Sequence, residues 1–258
     1  MSNDDGITAP GLAALVAAVR DLGEIVVAAP DSPQSAAAHS ITLKEPLGVE
    51  YVRIAGPGGL EGMAISGRPA DCVRLAIRNL MDGPPDLVLS GINAGANVGV
   101  NIFYSGTVAA AAEGAMCGAP AVAFSAAVAG LNEGDADFVT VAGYCRRVLD
   151  RLLADGLEER QLINVNVPLV ADEPPRGIRL AEQSDADVID TYRPEQTPTG
   201  ATRFHLAAEY AFDKAHPDSD VALLAERYVT VTPLHVDITC HERMAALHAL
   251  EEDFGGTV

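Results

Sequence analysis

The chain has 258 residues, and its 17 Lys plus Arg against 36 Asp plus Glu give a formal net charge of −19. Because this charge repels nucleic-acid backbones and anionic lipid, we expect no nucleic-acid polymer and no membrane among its partners. No apolar run approaches the roughly 18 residues of a membrane helix, and the four cysteines show no metal-binding or redox spacing. We therefore expect a cytoplasmic protein with reduced thiols.

The first part of the chain alternates helical and strand patterns. After Pro10, an amphipathic helix closing at Gly23 is predicted by apolar residues at helical spacing, namely Leu12, Leu15, Val16, Val19 and Leu22. The segment EIVVAAP, from Glu24 to Pro30, then predicts a strand buried on both faces. A second helix around residues 73–80 precedes another buried strand, DLVLSG, which ends at Gly91.

The same alternation continues through a small-residue helix in GTVAAAAEGAMCG, the strand PAVAFS, a helix from Phe138 to Leu152 and the strand LINVNVP. Periodicity is then lost from about Gly177 until the strand YVTVTPL and a terminal helix with apolar residues Met244, Leu247, Leu250 and Phe254. The pattern predicts an α/β fold with a Rossmann-like, doubly wound, mostly parallel sheet. We expect one domain over 1–258, in which 1–176 form the core with the ligand site and 177–258 add a hairpin, a strand and a helix.

Oxygen-rich segments follow the predicted strands, where a parallel sheet binds its ligands. SNDDG places the carboxylates of Asp4 and Asp5 before a turn and a helix, where a first strand would deliver them to the carboxyl edge of the sheet. There they could hold a hard cation, although such a run is also ordinary turn chemistry. GINAGAN offers Asn93 as a neutral oxygen ligand and Asn97 as a second amide, and it is equally compatible with a plain loop.

Two further segments carry hydroxyl groups. Ser105, Gly106 and Thr107 open a helix, whose free N–H groups and dipole favour a phosphate, although a simple N-cap uses the same donors. Ser35, in APDSPQS, could be a metal ligand, a nucleophile or a solvated side chain. The absence of HExxH, GxSxG and GxGxxG motifs disfavours a zinc protease, a serine hydrolase and an NAD enzyme.

Seven segments in order, SNDDG, APDSPQS, GRPADCV, SGINAGAN, YSGTVAAAAEG, INVNVP and VTVTPLHVD, resemble the signature segments of the SurE family of 5'-nucleotidases over about residues 2–239. The resemblance implies a hydrolase that cleaves nucleoside 5'-monophosphates, and also 3'-monophosphates, with metal-activated water. The alternatives are a broad phosphatase or exopolyphosphatase of the same family, and a nucleotide-binding module without turnover. The resemblance also implies a homodimer or homotetramer with exchanged C-terminal hairpins.

The resemblance assigns one Mg²⁺ or Mn²⁺ per subunit to Asp4, Asp5, Ser35 and Asn93, an all-oxygen set that suits these metals. Asp4 or Asp5 is then the candidate catalytic group that orients or deprotonates the attacking water. The candidate phosphate-binding residues are Asn97, Ser105, Gly106 and Thr107.

The chain departs from the family pattern at its start, because family members carry an apolar strand before NDDG and here Met1 and Ser2 alone precede Asn3. Losing about four buried aliphatic residues would remove about 6 to 12 kcal/mol, against a typical domain stability of about 5 to 15 kcal/mol. We expect the true start to lie upstream, so that added upstream codons raise soluble yield and activity. Smaller departures are Arg68 in place of Thr, Ala36 in place of Gly and Arg227 in place of Gly.

Overall fold

The computed structural model describes residues 1–54, 59–128, 136–168 and 173–250. The regular elements up to residue 126 are α1 (Pro10–Val19), β1 (Ala28–Pro30), β2 (Val49–Arg53), β3 (Glu61–Ile65), α2 (Pro69–Leu75), β4 (Val88–Ala94), α3 (Gly106–Met116) and β5 (Ala121–Ala126). Those that follow are α4 (Phe138–Asp155), β6 (Leu162–Val167), β7 (Gly177–Leu180), β8 (Asp187–Gln196), β9 (Thr202–Asp213), α5 (Asp220–Ala225), β10 (Tyr228–Leu234) and α6 (His241–Leu247). Short π-helical and 3₁₀ segments lie at Ala76–Leu80, Gly99–Phe103 and His248–Leu250.

The largest sheet has the strand order β4-β5-β6-β10-β7. β4, β5 and β6 run parallel, β10 is antiparallel to β6, and β7 is parallel to β10. Every residue of β5 and β6 is buried, as the continuous apolar runs of these strands predict for a sheet covered on both faces. The prediction of an α/β, Rossmann-like, mostly parallel sheet is confirmed.

Helices cover this sheet in two pairs, α1 with α4 and α2 with α3. The buried core between α1, α4 and the sheet is aliphatic apart from Phe124, Phe138 and Cys145. On the α3 side the residues are small, and a Cβ on Gly114 would lie 2.7 Å from the Val88 side chain. The small side chains of α3 therefore let the helix approach the sheet closely and bring its amino end to the sheet's carboxyl edge.

Met1 and Ser2 lie between β1 and β4, and they join the three-stranded sheet β1-β3-β2 to the larger one. The Met1 carbonyl accepts from Ala28 N at 2.9 Å, and Ser2 N donates to the Leu89 carbonyl at 3.0 Å. Ser2 pairs with Ser90 as an isolated parallel bridge. These two residues thus deliver Asn3, Asp4 and Asp5 to the carboxyl edge, as a strand would.

Some predicted boundaries are wrong. Helix α1 ends at Val19 instead of reaching Gly23, and Leu22 is 42% exposed. Arg146 of α4 explains this end, because its guanidinium donates to the Ala18 carbonyl at 2.8 Å and binds Asp21, which satisfies the helix terminus. The first strand is Ala28–Pro30 and not Glu24–Pro30.

The C-terminal part contains the expected hairpin, formed by the antiparallel strands β8 and β9. The expected strand YVTVTPL is β10, and the terminal helix is α6, which has no buried residue. Phe254, predicted in that helix, lies outside the described residues. Among the residues that the structure describes, no helix is long and apolar enough to cross a membrane.

Candidate active site

The carboxyl edge beside β4 brings the first acidic motif against the Gly/Asn-rich loop. Ala94 N donates to Asp5 Oδ2 at 3.2 Å. Asn93 Nδ2 donates to the Gly95 carbonyl at 2.7 Å, so its Oδ1 is left for another partner. The turn is closed by Asn3 Nδ2, which donates to the Gly6 carbonyl at 2.9 Å. The turn interpretation and the site interpretation of SNDDG are therefore compatible.

The loop that carries Ser35 lies against the same edge. Gln34 N donates to the Asp4 carbonyl at 2.7 Å, so the residue after it, Ser35, is placed next to the acidic motif. Farther along, the His39 ring lies 3.0 Å from Glu113 Oε2 of α3. Ser35 itself is exposed. The structure thus brings Ser35 into the neighbourhood of Asp4, which nothing in the local sequence indicates.

Helix α3 begins at the Asp4 carboxylate. The Thr107 hydroxyl, fully buried, donates to Asp4 Oδ1. A Cβ on Gly106 would lie 2.7 Å from Asp4 Cβ and 2.9 Å from its Oδ2. Ser105 is the N-cap, whose Oγ accepts from Val108 N at 3.1 Å. Hence the anion next to the amino end of this helix is a side chain of the protein, in the place where helices favour negative charge.

Burial raises the pKa of the Asp4 carboxyl above its ordinary value. The Thr107 hydroxyl and the backbone N–H groups of Thr107 and Gly106 oppose this shift, because their hydrogen bonds favour the carboxylate. A neighbouring cation would favour the carboxylate further. The electrostatics of Asp4 therefore fit a site that holds a positive ion.

Asn97 is held by a buried polar network. Its backbone N donates to Asn166 Oδ1 at 2.8 Å, and its carbonyl accepts from the side chains of Asn164 and Asn166. Its own Nδ2 donates to Ser125 Oγ at 2.8 Å. The sequence reasoning missed Asn164, Asn166 and Ser125 as supports, although two asparagines spaced by two in an apolar strand indicate a polar cluster on one face.

Arg68 adds a positive charge to this region. Its guanidinium Nη1 donates to Gln34 Oε1 at 2.6 Å, and the side chain is exposed at the start of α2. Since Gln34 also binds the Asp4 backbone, Arg68 lies one residue removed from both Asp4 and Ser35.

A divalent cation at this edge would depend on mixed oxygen donors. In the described part of the chain, no three His, Cys, Asp or Glu side chains come together as a metal-holding group. The available set is the carboxylates of Asp4 and Asp5, the Ser35 hydroxyl and the Asn93 amide oxygen. Oxygen ligands with two negative charges fit a hard cation such as Mg²⁺ or Mn²⁺.

Comparisons with known proteins agree with one another. The family model described as "Survival protein SurE" matches residues 1–190. The 5'-nucleotidase SurE of Synechococcus sp. (strain JA-3-3Ab) is 40% identical over 249 residues, covering 96% of this chain and 95% of that protein. The 5'-nucleotidase SurE of Flavobacterium psychrophilum is 36% identical over 248 residues, with coverages of 96% and 95%. The crystal structure of the SurE protein from Aquifex aeolicus superposes with a TM-score of 0.81 at 37% identity, covering 97% of this chain and 98% of that one.

Proposed function

The chain belongs to the SurE family, and from that premise we propose that it is a metal-dependent 5'-nucleotidase. Its substrates are nucleoside 5'-monophosphates, and 3'-monophosphates as well, which it hydrolyses to nucleoside and phosphate. The activity follows the curated relatives, which are named 5'-nucleotidases. The metal, the substrates and the residue roles are those that the family resemblance implies, and the oxygen donors of the site support them.

The proposal rests on the observation that two carboxylates and the amino end of a helix lie at one edge of the sheet. Asp5 binds the end of β4 beside Asn93, and Asp4 binds the amino end of α3. A chain of net charge −19 needs local positive potential to accept a phosphate. A helix amino end supplies part of that potential without a basic side chain, and a cation between the carboxylates would supply the rest.

Asp4, Asp5, Ser35 and Asn93 would hold the cation, which would supply Lewis-acid polarisation of a phosphoryl oxygen and a lowered pKa of bound water. The carboxylate of Asp4 or Asp5 would orient or deprotonate the attacking water. Asn97, Ser105, Gly106 and Thr107 are the proposed phosphate-binding residues. Because the Thr107 hydroxyl and the N–H groups of Gly106 and Thr107 bind Asp4 in the structure, a phosphate would have to take these donors from the Asp4 carboxylate. Because the Ser105 oxygen already accepts from Val108 N, its hydroxyl proton is available to donate to the substrate.

A broad phosphatase or exopolyphosphatase activity is the second candidate, and Arg68 favours it. The guanidinium is exposed and is attached through Gln34 to the loop that carries Ser35. An arginine there offers a fork of donors to a second phosphate group. A nucleoside monophosphate has no such second group.

The test is phosphate release from 5'- and 3'-nucleoside monophosphates and from tripolyphosphate, with Mg²⁺ or Mn²⁺ and again with a chelator. We expect release from the monophosphates that both the chelator and Asp5→Asn abolish. Asp155→Asn, an exposed site at the end of α4, is the matched control and should keep full activity. Circular dichroism checks that each variant is folded. A folded Asp5→Asn protein with unchanged, chelator-resistant turnover would contradict the proposal.

We also propose that the chain forms a homodimer or homotetramer through the β8–β9 hairpin. One face of the hairpin pairs Tyr192 with Leu206 and Pro194 with Phe204, and the aromatic and leucine side chains are 55–65% exposed. Exposed apolar faces of this kind mark interfaces. Phe204→Glu should lower the mass measured by light scattering, whereas Arg193→Glu on the opposite face should not. An unchanged mass in Phe204→Glu would exclude this surface as the interface.

A further inference from the structure

Asp220 is a buried carboxylate outside the set of residues assigned to the candidate site. It lies at the first position of α5, in the C-terminal part of the chain, and it is fully buried. Its Oδ2 accepts from Gly99 N at 2.9 Å, and its Oδ1 accepts from Ser184 N at 3.0 Å and from Val221 N at 2.8 Å. Burial raises the pKa of the Asp220 carboxyl, and these three bonds oppose the shift because they favour the carboxylate. Asp220 therefore joins three segments that are distant in sequence or belong to different elements.

Capping of α5 does not explain this arrangement. Ser219 is the N-cap of the helix, and its Oγ accepts from Ala222 N at 3.2 Å. The capping oxygen is thus supplied by the preceding residue. Asp220 accepts from one N–H of its own helix and from two that lie outside it. The side chain of Asp220 thus acts mainly on the two outside segments.

Gly99 is fixed from several directions by the C-terminal part of the chain. Its N–H binds Asp220, and its carbonyl accepts from Gln183 Nε2 at 3.2 Å. Its φ is 56°, in the left-handed region that favours glycine. A Cβ on Gly99 would lie 3.0 Å from Cε1 of Phe212 and 3.3 Å from Cγ2 of Val221. Both peptide groups and the packing of Gly99 therefore depend on residues after 176.

The segment that Asp220 holds carries a proposed phosphate-binding residue. Asn97 is buried and lies two residues before Gly99. On the sheet side, the Asn97 backbone is bound by the side chains of Asn164 and Asn166 of β6. Asn97 thus lies between two anchors, one in the parallel strands and one at Asp220.

We propose that Asp220 is a positioning residue for the candidate site, which keeps Asn97 in place for a phosphate group by binding the backbone of Gly99. If Gly99 were released, Asn97 would have to be ordered when the ligand binds, and affinity would fall. The inference rests on the proposed function, because it takes Asn97 as a phosphate-binding residue. It adds a residue of the segment 177–258 to a site whose proposed ligands all lie within 1–176.

The test is Asp220→Asn. An amide oxygen at the Oδ1 position keeps the bonds from Ser184 and Val221, whereas an NH₂ at the Oδ2 position cannot accept from Gly99 N. We expect KM for a nucleoside 5'-monophosphate and the inhibition constant of inorganic phosphate to rise about tenfold, with kcat changed less than about threefold. Amide exchange at Gly99 should quicken at least about tenfold. Asp218→Asn, at an exposed carboxylate in the same loop, is the control and should change none of these quantities.

A second comparison determines whether Asp220 acts through Asn97. In an Asn97→Ala background, Asp220→Asn should raise KM by less than about twofold, because the side chain that it positions is already lost. Gln183→Leu removes the other bond to Gly99 and should raise KM by about threefold in the unmodified background. If Asp220→Asn is not recovered folded, Gln183→Leu decides the question, and an unchanged KM in that variant would overturn the proposal.

Two results with folded Asp220→Asn would also overturn it: unchanged values of KM and of the phosphate inhibition constant, or the same rise in KM with and without Asn97. Faster exchange at Gly99 with unchanged phosphate affinity would show a purely structural anchor and would count against the proposal. Failure of the proposed function is distinct, because it appears as no phosphate release by the unmodified chain. Isothermal titration with inorganic phosphate then replaces KM. Binding that weakens about tenfold in Asp220→Asn would support the positioning role, whereas no binding by the unmodified chain would overturn it.

Discussion

Replacing Gly106 by Ala should remove activity while leaving the fold intact. The added Cβ would lie 2.7 Å from Asp4 Cβ, 2.9 Å from its Oδ2 and 3.1 Å from its Cγ. Ordinary contact begins near 3.4 Å, so one partner must move by about 0.7 Å. Asp4 Cβ is next to the backbone, which is fixed by Gln34 N, and the carboxylate is fixed by Thr107. The displacement therefore falls on the carboxylate or on the start of α3.

The substitution should affect the catalytic rate much more than the stability. A misplacement on the order of 1 Å costs about 10²-fold in rate, so kcat/KM should fall at least about 100-fold. For stability, the overlap costs about 1 to 3 kcal/mol, and replacing glycine at a helical position returns up to about 1 kcal/mol. The net loss stays at or below about 3 kcal/mol, within the roughly 5 to 15 kcal/mol of a typical domain.

The assay is phosphate release under saturating Mg²⁺ or Mn²⁺, together with thermal unfolding of the same samples. Gly143→Ala is the matched control, because its added Cβ meets nothing within 4 Å on the exposed side of α4. It should keep full activity and gain up to about 1 kcal/mol. A folded Gly106→Ala protein with more than a third of the original kcat/KM would refute the reasoning about Asp4.

Three further predictions follow from single features. Thr107→Val removes the buried donor to Asp4 and should cut kcat/KM by about 10- to 100-fold. Thr107→Ser keeps the hydroxyl and should recover activity. Equal activity in the two variants would show that the hydroxyl is unimportant. Ala36 has a φ of 54°, in the left-handed region that is strained for a residue with a Cβ, so Ala36→Gly should raise Tm by about 2 to 4 °C. Ala37→Gly is the control and should lower Tm. A lower Tm in Ala36→Gly would contradict the assigned strain. In the 258-residue chain, burial lowers the pKa of the Met1 amine to about 5, so the unfolded chain binds an extra proton between pH 5 and 8 and stability should rise over that range by up to about 4 kcal/mol. Urea unfolding at each pH measures this rise, and a flat profile would contradict the burial of the amine.

Much of the fold followed from two local patterns. Continuous apolar runs such as those of β5 and β6 predict strands buried on both faces, and the intervening helical stripes predict crossovers, so a parallel sheet was the consistent arrangement. The direction of a strand is harder to predict from the sequence, because an apolar run shows the same pattern in either direction. β10 runs antiparallel to β6 and parallel to β7, a direction that the pattern of its own residues does not predict.

The residues of the candidate site differ in how readily the sequence predicts them. Asn93 lies at the end of β4, and Asp4 and Asp5 follow the strand-like residues Met1 and Ser2, so sheet geometry predicts their approach; the contact of Ala94 N with Asp5 agrees with that expectation. Ser35 lies on an exposed loop, which its neighbours Gln34, Ala38 and His39 hold in place through contacts with residues distant in sequence. One hydroxyl in a polar loop carries no local signal of such contacts, and only the family resemblance singled it out.

The start of α3 shows how a structure can separate two explanations that use the same residues. Capping requires only a side-chain oxygen at Ser105, and the next helical position tolerates alanine. The absence of a Cβ at Gly106 has no role in capping, but it is required by the distance to Asp4. The glycine is therefore explained by the close approach of a carboxylate to the helix end. If Gly106→Ala proves active, that approach is incidental, and the helix start serves as a cap alone.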